Sequence, residues 1–436
     1  MSARPLHKVE EDQERVILVG VDTAVRGQSG SSRAYGSSSM AEESLKELAE
    51  LARTAGAEVL SSMIQARDEI HPATYVGSGK LQEIKAVAET LGATGIICDD
   101  ELSSVQLRNL EHELELKIMD RTLVILDIFA RHARSREGRI QVELAQLRYR
   151  SSRLVGLRES LSRLGGGIGT RGPGETKLET DRRVIRERIS RLKKELREIE
   201  LHRDVTRRQR ERRGIMVVAL VGYTNTGKST LLNALTGSEV LSENKLFATL
   251  DPTVRMLKLP QDQEVLLTDT VGFIKKLPHQ LIDAFRSTLE EAARADIIVH
   301  VVDASNDAKE SQMETVYETL KELGAENRTV VTVFNKIDKL SGPRLVNRDR
   351  RAYDSLEISA RTKEGLDELL IVLSNIIRAR RIFIDCVFEY SEGGLVAMVR
   401  RQGQLISEEY TDEGIHVTAY IPMELEGILR SRSQKN

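Results

Sequence analysis

Residues Gly222–Ser229 read Gly-Tyr-Thr-Asn-Thr-Gly-Lys-Ser, and no other stretch constrains the fold of this chain as tightly. The octet follows the apolar run Ile215–Val221 and opens the helical pattern Ser229–Leu235. A strand, a glycine-rich turn and a helix in that order form one α/β unit. Its glycines let successive backbone N–H groups curl around phosphates at a helix N-terminus. Lys228 supplies a point charge to β- and γ-phosphates, and the Ser229 hydroxyl can ligate Mg2+. Nucleotide binding is therefore assigned to Gly222, Tyr223, Thr224, Asn225, Thr226, Gly227, Lys228, Ser229 and Thr230.

The base is read from Asn335, Lys336, Ile337 and Asp338, an N-K-x-D motif after the apolar strand Val330–Phe334. A carboxylate held in the plane of the base accepts both guanine N1–H and N2–H, which adenine does not offer. A site built around that acceptor rejects adenine because the carboxylate would be left unpaired. Between the two motifs lies Asp269-Thr270-Val271-Gly272, after the strand Glu264–Thr268. Asp269 can hold Mg2+ through water, and the Gly272 amide can sense a γ-phosphate. A further loop, Phe247-Ala248-Thr249-Leu250-Asp251, contributes a threonine to the metal. Thr249 is the expected ligand, Thr253 is its competitor, and spacing does not separate them. Ser359-Ala360, after Leu356–Ile358, fits the loop behind the base. Candidate catalytic residues are Lys228, Thr249 and Gly272; candidate metal ligands are Ser229 and Thr249, with Asp269 through water.

Around this centre the 436 residues divide into textures, and the length itself suggests about three domains. Strand patterns at Arg15–Val21, Glu58–Ile64, Thr94–Cys98 and Lys117–Met119 alternate with helix patterns at Ala41–Thr54, Lys80–Leu91 and Ser103–Glu113. That rhythm predicts a small parallel sheet covered by helices. Gly27–Ser39 is Gly/Ser-rich and reads as a flexible loop. Next, Leu147, Leu154, Leu157, Leu161 and Leu164 form one helical stripe, and Leu178, Ile185, Ile189, Leu192, Leu196 and Ile199 form another. The two predict an antiparallel helical hairpin, with Gly165–Glu175 at its tip. Six glycines in that tip exceed what a turn needs and favour close backbone approach to a ligand. The segment Arg131–Arg213 carries 25 Lys and Arg against 12 Asp and Glu, in a chain whose net charge is -2. An excess of 13 positive charges on an otherwise acidic body faces either a polyanion or solvent. The expected domains are 1–130, 131–213, 214–381 and 382–436, the last a small α+β module.

These motifs together resemble the translation-factor class of P-loop GTPases. Asp120–Leu147, Gly165–Arg183 and Tyr75–Ile84 are similar to the HflX family of ribosome-associated GTPases, over nearly the whole chain. The resemblance implies an α/β architecture: an N-terminal α/β subdomain, an antiparallel helical hairpin, a P-loop GTPase domain and a small C-terminal α+β domain. It implies Mg2+-dependent GTP hydrolysis coupled to binding of the large ribosomal subunit, with ribosome dissociation or rescue as the task. It also sends the hairpin tip toward ribosomal RNA, which makes Gly165, Gly166, Gly167, Gly169, Arg171, Gly172 and Gly174 candidate RNA contacts.

Phe273 follows DTVG, where many regulatory GTPases carry a water-orienting glutamine. Phenylalanine cannot hydrogen-bond the attacking water, so slow intrinsic hydrolysis, accelerated by the ribosome, is expected. Gly77-Ser78-Gly79-Lys80 lacks the rest of a phosphate loop and reads as a turn opening a helix. Thr122 reads as the N-cap of a following helix. Cys98 and Cys386 lie too far apart in sequence for a disulfide framework or a Cys-based zinc site, and the eight histidines show no ligand spacing. No apolar run is long enough to span a bilayer, and the N-terminus lacks the pattern of a signal peptide. A cytoplasmic monomer is expected. Rival readings are an RNA-remodelling ATPase that uses the N-terminal half, and a scaffold GTPase with a protein partner.

Overall fold

The computed structural model describes residues 13–23, 40–164, 173–211, 215–238, 246–260, 263–276, 291–340, 347–422 and 425–429. The chain forms two compact units. One comprises Met1–Leu196 with Lys245–Phe247 and Lys276–Phe285; the other comprises Arg197–Asn244, Ala248–Lys275 and Arg286–Asn436.

The first unit begins with β1 (Arg15–Asp22), α1 (Met40–Thr54), β2 (Glu58–Ala66), α2 (Ser78–Leu91), β3 (Gly95–Cys98), α3 (Ser104–Leu114) and β4 (Lys117–Asp120). The strands pair in parallel in the order β2-β1-β3-β4. Near-continuous apolar runs such as Val16–Val19, fully buried, are what a parallel sheet covered by helices requires. Helix α2 opens at Ser78 with Gly77 as its N-cap, so Gly77–Lys80 is a helix-opening turn. Ser103 and Gln106 form a reciprocal capping box at the start of α3.

Helix α4 (Arg121–His132) corrects the expected cap. Its N-cap is Asp120, whose Oδ1 accepts from the Leu123 amide at 2.9 Å, and Thr122 lies buried within the first turn. A carboxylate has two acceptor oxygens against the single hydroxyl of threonine. Asp120 uses them fully, accepting also from Tyr149 Oη at 2.7 Å, from the Leu102 amide at 3.1 Å and from Arg153.

The hairpin consists of α5 (Arg136–Leu164) and α6 (Pro173–Glu211). Glu143 receives both guanidinium arms of Arg188, at 2.7 and 3.0 Å, and Arg136 lies 3.6 Å from Glu195. Seven residues back on one helix thus correspond to seven forward on the other, which fixes an antiparallel register. The tip is shorter than expected. Pro173 begins α6, a position where its missing N–H costs nothing, so Gly174 and Glu175 are helical. Gly165, Gly166, Gly167, Gly169, Arg171 and Gly172 lie outside the described residues, as does Gly27–Ser39.

The second unit contains a six-stranded sheet built from β5 (Met216–Gly222), β6 (Thr253–Leu259), β7 (Gln263–Asp269), β8 (Ile297–Asp303), β9 (Thr329–Asn335) and β10 (Asp354–Glu357). The order is β10-β9-β8-β5-β7-β6, parallel except for the edge pair β6–β7. Helices α7 (Lys228–Thr236), α8 (Lys309–Glu322) and α9 (Leu366–Ala379) accompany it. Because β7 and β8 flank β5 on opposite sides, the carboxyl end of β5 is the topological switch point where open α/β sheets bind ligands. A final three-stranded antiparallel sheet, β11 (Arg381–Phe388), β12 (Gln404–Thr411) and β13 (Gly414–Pro422), is ordered β11-β13-β12. It packs Ile415, Val417, Ala419 and Ile421 against α10 (Gly393–Gln402).

A polar cluster sits inside the six-stranded sheet. His300 of β8 is fully buried, edge-on to Tyr317 with ring centroids 5.3 Å apart. Tyr317 Oη and Thr332 Oγ1 both donate to Asp349 Oδ2, at 2.5 and 2.7 Å. Burial pushes the imidazole pKa down to about 4, despite the opposing pull of Asp349. Unfolding therefore takes up a proton below the ordinary value of 6.5. The stabilisation is complete above that pH and is lost as pH falls toward 4, by at most about 3 kcal/mol. Replacing His300 with Leu is expected to flatten the melting temperature across that window. An unchanged acid slope in the variant would assign the slope to other groups.

Candidate nucleotide-binding site

Strand β5 ends at Gly222 and α7 begins at Lys228, so Tyr223–Gly227 form the loop at the switch point. Gly227 holds φ +94°, and a Cβ there would come 2.4 Å from Asn335 Nδ2. Only glycine permits both the left-handed turn and that approach. Lys228 is buried, and its ammonium donates to the carbonyls of Gly222 at 3.2 Å and Tyr223 at 2.8 Å. Burial lowers its pKa to about 8, with Asp269 opposing and Lys336 adding to the depression. A cation held this far from water gains from any phosphate that reaches it.

Next to the lysine, Ser229 Oγ lies 2.7 Å from Thr249 Oγ1 and donates to Asp269 Oδ2 at 2.6 Å. Asp269 is fully buried, and among the described residues its Oδ1 finds no hydrogen-bond partner. Burial pushes its pKa up, against the pull of Lys228. Two hydroxyls and a carboxylate with a spare oxygen are a hard-oxygen donor set of the kind that suits Mg2+, which takes few protein ligands and keeps water. The two threonines that spacing left open lie in different places. Thr249 joins the cluster, whereas Thr253 opens β6, opposite Asp269 in the strand register.

The loop after β7 is tied to the phosphate loop by its backbone. The Thr224 amide donates to the Phe273 carbonyl at 2.8 Å, and the Phe273 amide to the Gly222 carbonyl at 3.1 Å. Tyr223 and Phe273 thereby form a parallel bridge, and the Lys275 amide donates to Tyr223 Oη at 2.8 Å. Gly272 is also dictated by space: a Cβ there would come 2.6 Å from Thr224 Cα and 3.0 Å from Lys228 Nζ.

At the far end of the loop, Asn335 Nδ2 donates to the Thr226 carbonyl and Asn335 Oδ1 accepts from the Ala360 amide, both at 2.9 Å. Ser359, fully buried, donates to Asp338 Oδ1 at 2.7 Å and accepts from the Thr362 amide at 3.1 Å. Asp338 itself is exposed. The structure thus brings phosphate loop, N-K-x-D and Ser359-Ala360 together. The motifs assigned from the sequence to phosphates, a divalent cation and a guanine edge converge on one crevice.

Comparison with known proteins agrees. The family profile described as "GTP-binding GTPase N-terminal" matches residues 42–130, "GTP-binding GTPase Middle Region" 132–210 and "50S ribosome-binding GTPase" 217–336. A GTPase HflX of Lacrimispora saccharolytica is 56% identical over 96% of this chain and 96% of its own length. The chain belongs to the HflX family of GTPases. The HflX of Caldanaerobacter subterraneus subsp. tengcongensis is 48% identical over 98% of this chain and 95% of its own. That of Escherichia coli (strain K12) is 43% identical over 76% of this chain and 78% of its own. This HflX-family protein is an α/β enzyme that binds and hydrolyses GTP. Among the described residues no helix is long and apolar enough to cross a membrane.

Several candidate side chains of this HflX-family chain turn away from the crevice. Thr270 Oγ1 donates to the Leu220 carbonyl at 2.7 Å, fully buried. Val271 and Leu250 are buried, and Ile337 packs with Val302, Ala304 and Phe334, so such positions can offer a ligand only backbone. Phe247, in the left-handed region at φ 56°, is buried edge-on to Phe129 with ring centroids 4.7 Å apart. Ala248, Asp251 and Thr230 are partly exposed. Sequence reasoning missed Asp303, which accepts from Lys336, and Ser305, which donates to Asp303. The signal available was an Asp-Ala-Ser at the end of an apolar strand preceding the N-K-x-D strand.

Proposed function

We propose that this GTPase binds the large ribosomal subunit through its basic hairpin and uses its nucleotide state to control that association. The observation that carries the proposal is the exposed positive charge of α5 and α6. Arg139, Arg150, Arg186, Arg191, Lys193 and Lys194 are all exposed there, within the segment that concentrates the positive charge. Exposed cations along paired helices suit the phosphates of folded RNA. The match to a profile described as a 50S ribosome-binding GTPase supports the same partner.

Within the site, Asp338 accepts from the guanine edge, Lys228 and the loop amides hold the phosphates, and the Gly272 amide meets the γ-phosphate. Ser229 and Thr249 would hold Mg2+ directly and Asp269 through water; bound there, the ion would neutralise developing phosphate charge. GTP orders the segments around Thr249 and Gly272 and hydrolysis releases them, so the affinity of the hairpin for RNA follows the nucleotide. Phe273, fully buried, cannot orient the attacking water, and hydrolysis by the isolated protein is slow. The ribosome supplies or positions the missing group. The protein acts as a cytoplasmic monomer, and dissociation or rescue of ribosomes is the task this coupling serves.

GTP hydrolysis measured alone and with purified large subunits, across a salt series, tests the proposal. Stimulation of at least about tenfold, with a log–log salt slope of several units, is expected for multiple phosphate contacts. Equal rates with and without subunits would move the partner elsewhere. Stimulation insensitive to salt would point to a protein contact.

A further inference from the structure

We propose that Asp303 is a positioning residue for guanine-nucleotide retention, acting through Lys336. Lys336 Nζ donates to two acceptors, the carbonyl of Asn225 at 2.6 Å and Asp303 Oδ2 at 2.8 Å. The first is the middle of the phosphate loop. The second is the last residue of β8, one strand away from the base-recognition motif. Both side chains of the ion pair are mostly shielded, at 17% and 14% exposed, so water weakens the interaction less than at an open surface.

Two features show that the arrangement is built in. Asp303 is set before Lys336 reaches it, because its Oδ1 accepts from both the amide and the hydroxyl of Ser305, at 3.0 and 2.6 Å. Only Oδ2 is left to face the lysine. The backbones joined by the ammonium are also both strained: Lys336 has φ 66° and Asn225 φ 60°. Non-glycine residues in that region persist only where surrounding bonds over-determine them. The ammonium between Asn225 and Asp303 supplies such bonds. The Asn335 side chain and the Ala304 amide, which donates to the Asn335 carbonyl at 2.8 Å, fix the adjacent residue.

It follows that the phosphate loop and the base loop are held in one register by a chain running Ser305–Asp303–Lys336–Asn225. Without Asp303 the ammonium is shared among fewer acceptors, the Asn225 carbonyl loses a fixed donor, and the two halves of the nucleotide are gripped independently. The effect falls on how long the nucleotide stays. The inference rests on reading Asn335–Asp338 as the guanine-recognition loop.

The experiment is stopped-flow release of a fluorescent GDP analogue from full-length wild type, Asp303→Ala, Lys336→Met and the double variant, with a fluorescent ADP analogue as control. Release from Asp303→Ala is expected to be about tenfold faster, the scale of one charge-assisted hydrogen bond. In the Lys336→Met background, adding Asp303→Ala should change little, since the partner is already gone. Asp303→Asn keeps the shape and one acceptor and should fall between wild type and Ala; it serves also if Ala fails to fold. Unchanged release from both Asp303 variants would overturn the inference. Equal acceleration with and without Lys336 would overturn it too, since Asp303 would then act by another route. If wild type holds the ADP analogue as tightly as the GDP analogue, the recognition-loop reading itself fails, whatever the variants do.

Discussion

Asp338→Asn is expected to weaken GTP binding by about 10^2–10^3-fold and to shift preference toward xanthosine triphosphate. In wild type the carboxylate is aimed before any base arrives, because Ser359 Oγ donates to one oxygen while the Thr362 amide donates to Ser359. The other oxygen is left for the guanine edge, which offers two N–H donors. An amide in place of the carboxylate meets guanine N2–H with its own N–H, so one bond is lost and one repulsion gained. Xanthine carries a carbonyl at that position and restores a pair. A hydrogen bond to a charged group contributes about 1.5–3 kcal/mol, so losing one and adding the repulsion accounts for the fall. Competition binding with GTP and xanthosine triphosphate reads the outcome. Unchanged GTP affinity would remove Asp338 from the base contact and leave guanine selection to backbone groups near Ala360.

Lys228→Met is expected to lower the rate of GTP hydrolysis by about 10^2–10^3-fold in single-turnover measurements, the scale of losing one preorganised donor to developing charge. The unliganded protein should nevertheless keep its melting temperature. Lys228 is buried with its pKa pushed down to about 8, and replacing a desolvated ammonium with a thioether of similar length relieves that penalty. The pairing of lost activity with retained stability separates a phosphate contact from a packing role. If the variant hydrolyses GTP normally, charge on this side chain is unnecessary. If it melts far lower, the bonds to the Gly222 and Tyr223 carbonyls are structural.

The fold was legible where periodicity was strong. Apolar runs such as Val16–Val19 and Val218–Val221 located the parallel strands because both of their faces are buried. The phosphate loop was legible because glycine spacing records backbone requirements directly: Gly227 is forced by Asn335, and Gly272 by Thr224 and Lys228. Side-chain direction was not legible. Phe247 and Leu250 lie in the same loop as Thr249, and nothing in their order reveals that the first two are buried while the hydroxyl meets Ser229. Thr122 read as the cap, and Asp120 holds that place with the help of Leu102, Tyr149 and Arg153, which come from other elements. Asp303 escaped notice for the same reason. Its partner Lys336 lies 33 positions away, and only the pairing of β8 with β9 sets them side by side.

The bridge between Tyr223 and Phe273 limits how this enzyme could evolve a faster reaction of its own. A single substitution to glutamine at position 273 would not place an amide beside the attacking water. The backbone there is held by hydrogen bonds to Gly222 and Thr224, and the side chain fills a space only 2% exposed. The new amide would be buried without partners, at a cost of about 1–3 kcal/mol, before it contributed anything to catalysis. A lineage under pressure for rapid turnover must first unstitch the loop from its neighbour, a step that weakens the fold with no immediate return. The proposed long-lived triphosphate state is thus one that this backbone makes easy to keep.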